Sequence, residues 1–315
     1  MSQFDPNAEG LSIPNAQLLG QAALTAYSDA DACQKWAAGN GFNEAFDFFN
    51  NVSPKTDTNG FVAQNSQAVL VAFRGTDPQK PIDWFIDFDA LQQHGDFPEA
   101  RVHKGFDDAL DSVWRSAQDI LPQRLAARGG RAVWITGHSL GGALAELAAA
   151  KAAVVSGIPV QGVYTFGQPR VGDEAFASKM HDTLGARIFR FINNHDIVPR
   201  VPLWGMGFRH FADEMFFQGM TMQDDMISIE SWREAIRLAA LAVDLQPLQE
   251  IFALAKAILT LNANAARREA EMLGDLRLAL AAGTANIKDH SMETGYLPRL
   301  QGLNTPFSSA QAATQ

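Results

Sequence analysis

Residues 132–142 read AVWITGHSLGG, a strand, turn and helix pattern that decides the fold. The apolar run 132–136 has the length and β-branched content of a buried strand, and an alanine- and leucine-rich helical pattern begins at Leu140. Ser139 lies between them, flanked by glycines that let a strand and a helix pass closely. This context predicts a nucleophile elbow, in which a serine hydroxyl is exposed above the carboxyl end of a sheet.

Apolar runs on both sides of this stretch predict further strands at 68–73, 160–166 and 187–192. Helical patterns at 106–121 and 140–155 separate them. This alternation predicts an α/β-hydrolase fold, with a mostly parallel central sheet covered by helices on both faces. Ligands bind at the carboxyl ends of such strands, where the elbow lies.

The other segments predict helical additions to a single α/β-hydrolase domain that spans 1–315. Residues 11–36 have apolar positions at helical spacing, which predicts one covering helix with a stop at Gly39. Residues 228–282 are rich in alanine and leucine, which predicts a helical insertion that ends shortly before His290. The sequence leaves three functions open for this insertion. It can extend a lid over a substrate pocket, bind a partner or form a dimer face.

Charge and cysteine content exclude several classes of function. The 315 residues carry a net charge of -10, so the basic surface that a nucleic-acid partner needs is missing. Cys33 is the single cysteine, which rules out an intramolecular disulfide, and no spacing of Cys and His predicts a metal site. The amino-terminal segment lacks a basic start followed by an apolar run. This predicts a cytoplasmic protein, with secretion by a signal-less route as the alternative.

A serine hydroxyl becomes a nucleophile only when a histidine accepts its proton and a carboxylate orients that histidine. In this fold class the acid and then the histidine follow the serine along the chain. Asp196 comes soon after the predicted strand 187–192, which makes it the favoured acid, ahead of Asp173 and Asp213. We therefore expect the carboxylate partner at Asp196.

The choice of histidine has two candidates. His195 precedes the acid and His181 lies in a predicted surface helix, which leaves His210 and His290. His290 lies in a polar loop after the insertion and is favoured, whereas the sequence FRHF around His210 is typical of a packed strand. Spacing alone leaves both histidines open.

Five separated motifs lie along the chain. They are VAFRGT at 71–76, VHKGF at 102–106, ITGHSLGG at 135–142, FGQPRVGD at 166–173 and NHDIVP at 194–199. In this order they make the chain resemble the class 3 lipases, the family of fungal triacylglycerol lipases with bacterial and plant relatives. The resemblance implies that Ser139, Asp196 and His290 are catalytic, and that backbone amides of Thr76 and Leu140 form the oxyanion hole.

The segment 78–93 holds a dense apolar set flanked by acids, including IDWFIDFDAL at 82–91. It resembles the lid of the family, a short amphipathic piece that covers the pocket in water and turns toward lipid at an interface. A helix packed permanently on the core has the same pattern, so both interpretations are open.

The resemblance implies a serine hydrolase that cleaves carboxylic esters, either a lipase acting on acylglycerols or a carboxylesterase. Phospholipase and feruloyl-type esterase activities use the same machinery. A non-catalytic lipid-binding or partner-binding homologue is a further hypothesis from another class. We expect a lipid or small ester substrate, contact with a lipid-water interface, no cofactor, no metal and no nucleic acid, while the oligomeric state is open.

Overall fold

The computed structural model describes the central sheet and the helices that cover it. The described residues are 4–52, 57–75, 91–114, 119–193, 196, 198–200, 202, 207–211, 213–217 and 289–303. The predicted insertion at 228–282 lies outside them. The predicted lid at 78–93 also lies outside them, apart from its last three residues, of which Gln92–Gln93 forms a short strand.

Strands and helices alternate along the described chain. The strands are β1 (Ala45–Val52), β2 (Asp57–Gln64), β3 (Ala68–Phe73), β4 (Gln92–Gln93), β5 (Val102–His103), β6 (Ala132–His138), β7 (Gly162–Phe166), β8 (Ile188–Asn193) and β9 (Asp213–Phe217). The helices are α1 (Ile13–Thr25), α2 (Ala30–Gly39), α3 (Lys104–Trp114), α4 (Ile120–Ala126), α5 (Leu140–Ala150), α6 (Glu174–Leu184) and α7 (Leu297–Gln301). Short π-helices lie at Lys151–Val155 and Met292–Tyr296, and 3-10 turns at Gly185–Arg187 and Val198–Arg200.

A seven-stranded sheet forms the centre of the fold, in the order β1-β2-β3-β6-β7-β8-β9. The first three strands pair antiparallel, whereas β3, β6, β7, β8 and β9 pair parallel. Phe73 of β3 is in register with Gly137 of β6, and His138 of β6 with Phe166 of β7. The carboxyl ends of these strands therefore meet at the elbow, and the predicted α/β-hydrolase fold class is confirmed.

Alternate side chains of β3 enter two separate apolar layers, as the period-two geometry of a strand requires. Val69, Val71 and Phe73 pack on the face covered by helices α3 to α6. Leu70 and Ala72 pack on the opposite face, which α1, α2 and α7 cover. Each face of the sheet has its own core, which explains why this strand is a continuous apolar run.

Two predicted helices are each divided in the structure. The predicted helix at 11–36 is α1 followed by α2, because Asp29 accepts a hydrogen bond from the amide of Ala32 at 2.8 Å and begins a new helix. The predicted helix at 106–121 is likewise α3 followed by α4. Both helices of the first pair contribute to the same core layer, so their apolar periodicity continues across the break.

Strands β1, β2 and β9 are absent from the sequence predictions. β1 reads AFDFFNNV, in which polar residues interrupt the apolar alternation, so its strand signal is weak. Conversely, the strand-like pattern at 208–211 contributes an isolated bridge between Arg209 and Gly172. Phe208 and Phe211 are buried there, so the apolar pattern reflects side-chain packing.

Glu146 on α5 is a buried carboxyl beneath the elbow. It is 2% exposed and accepts a hydrogen bond from Nε2 of Gln168. Burial raises the pKa of Glu146 from 4.5 to about 7, although the bond from Gln168 and the positive charge of Arg190 oppose that rise. The folded protein therefore retains a carboxyl proton that the unfolded chain loses at lower pH.

This raised pKa predicts a pH-dependent stability. Below pH 4.5 both states hold the proton, and between pH 4.5 and about 7 only the folded state does, so the free energy of unfolding falls as the pH rises through this window. The change in pKa corresponds to about 3 kcal/mol. Urea unfolding of native protein and of Glu146→Gln across this pH range measures the contribution of Glu146. The other carboxyls are the same in both proteins, so their contributions cancel in the difference between the two free energies of unfolding. As the pH rises from 4.5 to about 7, the free energy of unfolding of Glu146→Gln should increase by about 3 kcal/mol relative to that of native protein. A difference in the free energy of unfolding that stays constant across this pH range contradicts the account.

Candidate active site

Ser139 is the single residue between strand β6 and helix α5. Its φ of 58° and ψ of -129° lie in a region that costs a residue with a side chain about 1–3 kcal/mol. Among the described residues, it is the one non-glycine residue with a positive φ. Its amide donates to the carbonyl of Phe166 at 2.9 Å, and its carbonyl accepts from the amide of Gly142 at 2.9 Å. Strand β7 and helix α5 therefore hold the strained turn.

Two glycines allow this turn. A Cβ on Gly137 would lie 2.1 Å from the carbonyl oxygen of Gly141, and a Cβ on Gly141 would lie 2.4 Å from that of Phe73. Both contacts are with backbone atoms that cannot rotate away. The close approach of strand and helix that the sequence predicts is confirmed.

Of the two predicted oxyanion-hole residues, Leu140 is described and Thr76 lies outside the described residues. Leu140 is the first residue of α5, whose positive dipole end therefore lies at the elbow. Gly75, which precedes Thr76, is adjacent to the turn, since a Cβ on Gly75 would lie 3.1 Å from Cβ of Ser139. The carboxyl end of β3 thus reaches the elbow, while the oxyanion hole itself stays a prediction.

His290 and Asp196 form a buried hydrogen-bonded pair. Nδ1 of His290 lies 2.9 Å from Oδ2 and 3.1 Å from Oδ1 of Asp196. The two residues are 5% and 0% exposed. Because a carboxylate only accepts hydrogen bonds, Nδ1 carries the proton, which leaves Nε2 of the neutral ring to accept one. This is the tautomer that a base needs in order to take a proton from a serine.

The carboxylate of Asp196 has two further donors. The hydroxyl of Tyr296 donates to Oδ2 at 2.6 Å, and the amide of Val198 donates to Oδ1 at 2.9 Å. Burial, and then the negative charge of Asp196, raise the pKa of Tyr296 well above its usual value, so this hydroxyl keeps its proton and continues to donate. The three donors hold the carboxylate in one orientation.

Asn193, the last residue of β8, joins the turn of the acid to the segment that carries the histidine. Its amide donates to the hydroxyl of Tyr296 at 3.1 Å, and its Nδ2 donates to the carbonyl of Asp289 at 2.7 Å. Its own carbonyl accepts from the amide of Asp196 at 2.9 Å. These bonds bring together residues that are 96 positions apart in the chain.

Gly167 follows β7 and lies against both the acid and the histidine. Its φ is +60°, and a Cβ there would lie 2.7 Å from Oδ2 of Asp196 and 3.0 Å from Nδ1 of His290. The preceding residue, Phe166, accepts the amide hydrogen bond of Ser139. The structure therefore brings Ser139, Asp196 and His290 to one end of the sheet.

Three side chains at this end of the sheet are missing from the sequence predictions. The hydroxyl of Tyr27 lies 2.8 Å from Nδ1 of His138, whose Nε2 lies 2.6 Å from the carbonyl oxygen of His290. Tyr296 ends a π-helix turn just after His290, a geometry that is frequent at functional sites. The position of His138 directly before Ser139 is a signal that the sequence offers. Tyr27 and Tyr296 come to the site through the folding of the chain, and no local sequence pattern predicts their positions there.

The alternative histidines lie elsewhere. Nε2 of His210 lies 2.5 Å from the carbonyl oxygen of Pro199, to which it donates. His181 is exposed on α6, as predicted, beside Asp182. His195 lies outside the described residues. The histidine that contacts the predicted acid is therefore His290.

The alternative acids also have other positions. Asp173 caps α6, where its Oδ1 accepts from the amide of Phe176 at 2.9 Å. Asp213 begins β9 and is in register with Phe189 of β8. Neither observation places these residues beside the histidine, so Asp196 stays the candidate acid.

Within the described ranges, no group of His, Cys, Asp and Glu side chains is arranged to hold a metal ion. Across those ranges, no helix combines the length and the hydropathy of a membrane span. Cys33 is buried with its thiol 3.2 Å from the carbonyl oxygen of Thr25, so it is a core residue.

Residues 70–206 match the family described as lipase (class 3). The resemblance to the class 3 lipases is confirmed. The match extends from β3 beyond Asp196 and includes Ser139. His290 lies outside the matched class 3 lipase residues, so its place in the site rests on the contacts described above.

Several curated lipases are similar to this chain. A secreted mono- and diacylglycerol lipase 1 of Fusarium solani is 32% identical over 177 residues, which cover 55% of this chain and 52% of the relative. A lipase of Rhizomucor miehei is 34% identical over 164 residues, which cover 50% and 44%. The chain thus spans about half the length of the curated relatives that it matches.

Solved lipase structures share the fold. A lipase from Rhizopus microsporus var. chinensis superposes with a TM-score of 0.55 at 28% identity, covering 67% of this chain and 77% of its own. A triacylglycerol lipase whose catalytic centre is formed by a serine protease triad has a TM-score of 0.55 at 27% identity, covering 66% and 80%. These likenesses agree with the α/β-hydrolase sheet described above.

The predicted cytoplasmic location is wrong. The Fusarium solani relative and a further relative, a mono- and diacylglycerol lipase MDL3 of Malassezia globosa that is 31% identical over 159 residues, are both named as secreted. The prediction relied on the missing leader pattern at the amino terminus. A missing leader pattern carries no information about where the folded protein works, so it does not support a cytoplasmic location.

Proposed function

We propose that this protein is a serine hydrolase that cleaves the carboxylic esters of acylglycerols. One observation carries the proposal, the buried hydrogen bond of 2.9 Å between His290 and Asp196 at the sheet end that holds the strained turn of Ser139. A strained turn and a buried carboxylate both lower stability, so packing alone gives no reason for them. Acyl transfer requires both.

In the first step, Nε2 of His290 takes the hydroxyl proton of Ser139 as Oγ bonds to the ester carbonyl carbon. Asp196 stabilises the imidazolium that results, while Tyr296 and Val198 hold its carboxylate in place. The tetrahedral intermediate then collapses, the bond to the alkoxy oxygen breaks, and His290 returns the proton to the leaving alcohol. An acyl-enzyme on Ser139 remains.

The negative charge of the intermediate develops on the former carbonyl oxygen, and the amides of Leu140 and Thr76 are the proposed donors to it. The position of Leu140 at the positive end of α5 supports this role. Each well-placed donor contributes about 3 kcal/mol to the stabilisation of such a charge. The dipole needs no reorganisation during the reaction, because the helix is already aligned.

In the second step, His290 takes a proton from water, whose oxygen attacks the acyl carbon. The second tetrahedral intermediate releases Ser139, which regains its proton from His290, and the fatty acid leaves. No cofactor enters either step. The protein returns to its starting protonation state, so the cycle consumes one ester bond and one water molecule.

The acylglycerol assignment draws on the named activities of the relatives, which are lipases and mono- and diacylglycerol lipases. In this proposal the segment 78–93 is the lid, and the protein works at a lipid-water interface. Leu91, the one apolar residue of that segment that is described, is 52% exposed. Apolar contact then governs interface binding, because the net charge of -10 disfavours anionic lipid.

Substrate comparison tests the proposal. The native protein is assayed on p-nitrophenyl esters from butyrate to palmitate, emulsified triacylglycerol, diacylglycerol, phosphatidylcholine vesicles and methyl ferulate. We expect hydrolysis of the acylglycerols, with a rate that rises when the substrate forms an interface. A preference for phospholipid or ferulate assigns a different esterase class. Lipid binding without hydrolysis contradicts the proposal in favour of a non-catalytic protein.

A further inference from the structure

A second histidine lies against the proposed base. The ring of His138 is 4.5 Å from that of His290, centroid to centroid, with an angle of 33° between the planes. Nε2 of His138 lies 2.6 Å from the main-chain carbonyl oxygen of His290, and its Nδ1 lies 2.8 Å from the hydroxyl of Tyr27. His138 is 2% exposed. It directly precedes the proposed nucleophile and has no role in the steps above.

These contacts determine the tautomer of His138. A carbonyl oxygen can only accept, so Nε2 of His138 donates to His290. The neutral ring then accepts at Nδ1, and the hydroxyl of Tyr27 donates to it. Burial, and then the charge that His290 can carry, lower the pKa of His138 well below its usual value. His138 therefore stays neutral while His290 gains and loses its proton.

Tyr27 extends this connection to the end of β3. A Cβ on Gly75 would lie 2.3 Å from the hydroxyl of Tyr27 and 3.1 Å from Cβ of Ser139. The hydroxyl of Tyr27 therefore lies beside Gly75, close to the elbow. The bonds from Tyr27 to His138 and from His138 to His290 connect the residues after α1 with the elbow and with the base.

His290 is consequently held at two separate points. Asp196 orients its side chain through Nδ1, and His138 holds its main chain through the carbonyl oxygen. The two contacts therefore hold different parts of the base, its ring and its main chain. The bond from His138 to His290 joins residues that are 152 positions apart in the chain, so sequence proximity does not set the distance from the backbone of His290 to the elbow.

We propose that His138, oriented by Tyr27, is a positioning residue that sets the distance between the base His290 and the nucleophile Ser139. This inference rests on the proposed serine hydrolase function. The bond from Nε2 of His138 to the carbonyl of His290 carries the effect, and the bond from Tyr27 keeps the histidine ring in the orientation that makes it. A displacement of the base by about 1 Å lowers the rate of the chemical step by up to about 100-fold.

A matched pair of substitutions tests this proposal. Glutamine at position 138 has an amide that reaches as far as Nε2 of a histidine, whereas the amide of asparagine reaches only as far as Nδ1. We expect His138→Asn to lower kcat by about 10- to 100-fold with KM within about twofold of native. His138→Gln should restore kcat to within about threefold of native, because it can still donate to His290.

Two further variants complete the experiment. Tyr27→Phe removes the hydroxyl that orients the ring, and we expect kcat to fall about 5- to 10-fold with KM unchanged. His181→Gln, on the exposed face of α6, is the control and should match native protein in both constants. Thermal unfolding midpoints of all variants show whether a loss of rate follows a loss of folding.

Equal kcat values for the asparagine and glutamine variants overturn the proposal, as does a loss that appears in KM alone. If neither His138 variant folds, Tyr27→Phe decides, and a kcat within twofold of native overturns the proposal. Failure of the underlying function is separate from these outcomes. In that case the native protein itself hydrolyses no ester and does not react with a fluorophosphonate, whereas failure of this inference leaves an active native enzyme.

Discussion

Replacing Ser139 with alanine is expected to lower kcat for ester hydrolysis by at least about 10⁴-fold. The variant lacks the oxygen that bonds to the acyl carbon, so no acyl-enzyme forms, and the oxyanion donors and the binding site supply only the residual rate. The measurement is hydrolysis of a soluble p-nitrophenyl ester by purified native and variant protein.

The fold of this variant should be unchanged. Alanine and serine both have a Cβ, so the strain at φ 58° is the same in both proteins, and equal thermal unfolding midpoints are expected. Ser156→Ala, at an exposed position after the π-helix Lys151–Val155, is a matched control that should keep native activity. Full activity in Ser139→Ala means that another residue is the nucleophile and that the elbow has no catalytic role.

Replacing His290 with alanine is the second change with a large expected effect, a loss in kcat of about 10³- to 10⁴-fold. The hydroxyl of Ser139 then has no base, while the carboxylate of Asp196 keeps the donors Tyr296 and Val198. The matched comparison is His210→Ala, since Nε2 of His210 donates to the carbonyl of Pro199. We expect that variant to retain native activity.

The double variant sharpens this prediction. Residues that act as one catalytic unit show non-additive losses, so Ser139→Ala with His290→Ala should be no slower than Ser139→Ala alone. Additive losses mean that the histidine acts on a step other than activation of the serine. If His210→Ala is inactive and His290→Ala is active, the serine assignment stands and the base is misassigned.

The elbow and the parallel sheet were predictable because their signals are local. An apolar run, two glycines and a serine in strand-turn-helix order constrain the backbone within eleven residues, and Ser139 has the strained turn that this pattern demands. Asp196 was predictable for a related reason, since parallel strands place their carboxyl ends at one edge and this acid follows β8 there. The roles of these residues in catalysis stay predictions.

Contacts between distant residues were not predictable from local pattern. Tyr296 donates to Asp196 across 100 positions, and Tyr27 meets His138 across 111, so neither bond leaves a trace in spacing or periodicity. The division of 11–36 into two helices depends on one capping side chain, Asp29, whose effect is smaller than that of the apolar periodicity on both sides of it. The sequence favoured His290 over His210 without excluding His210, and the contact with Asp196 supports that choice.

The central claim is that Ser139 is a nucleophile activated by His290, and covalent labelling tests it most directly. Native protein is treated with a fluorophosphonate, digested, and mapped by mass spectrometry, with a known serine hydrolase as the reagent control. The account predicts one modified peptide containing residues 132–142, with the adduct on Ser139, and about 10³-fold slower labelling in His290→Ala. An unmodified Ser139 alongside a labelled control enzyme would contradict the account.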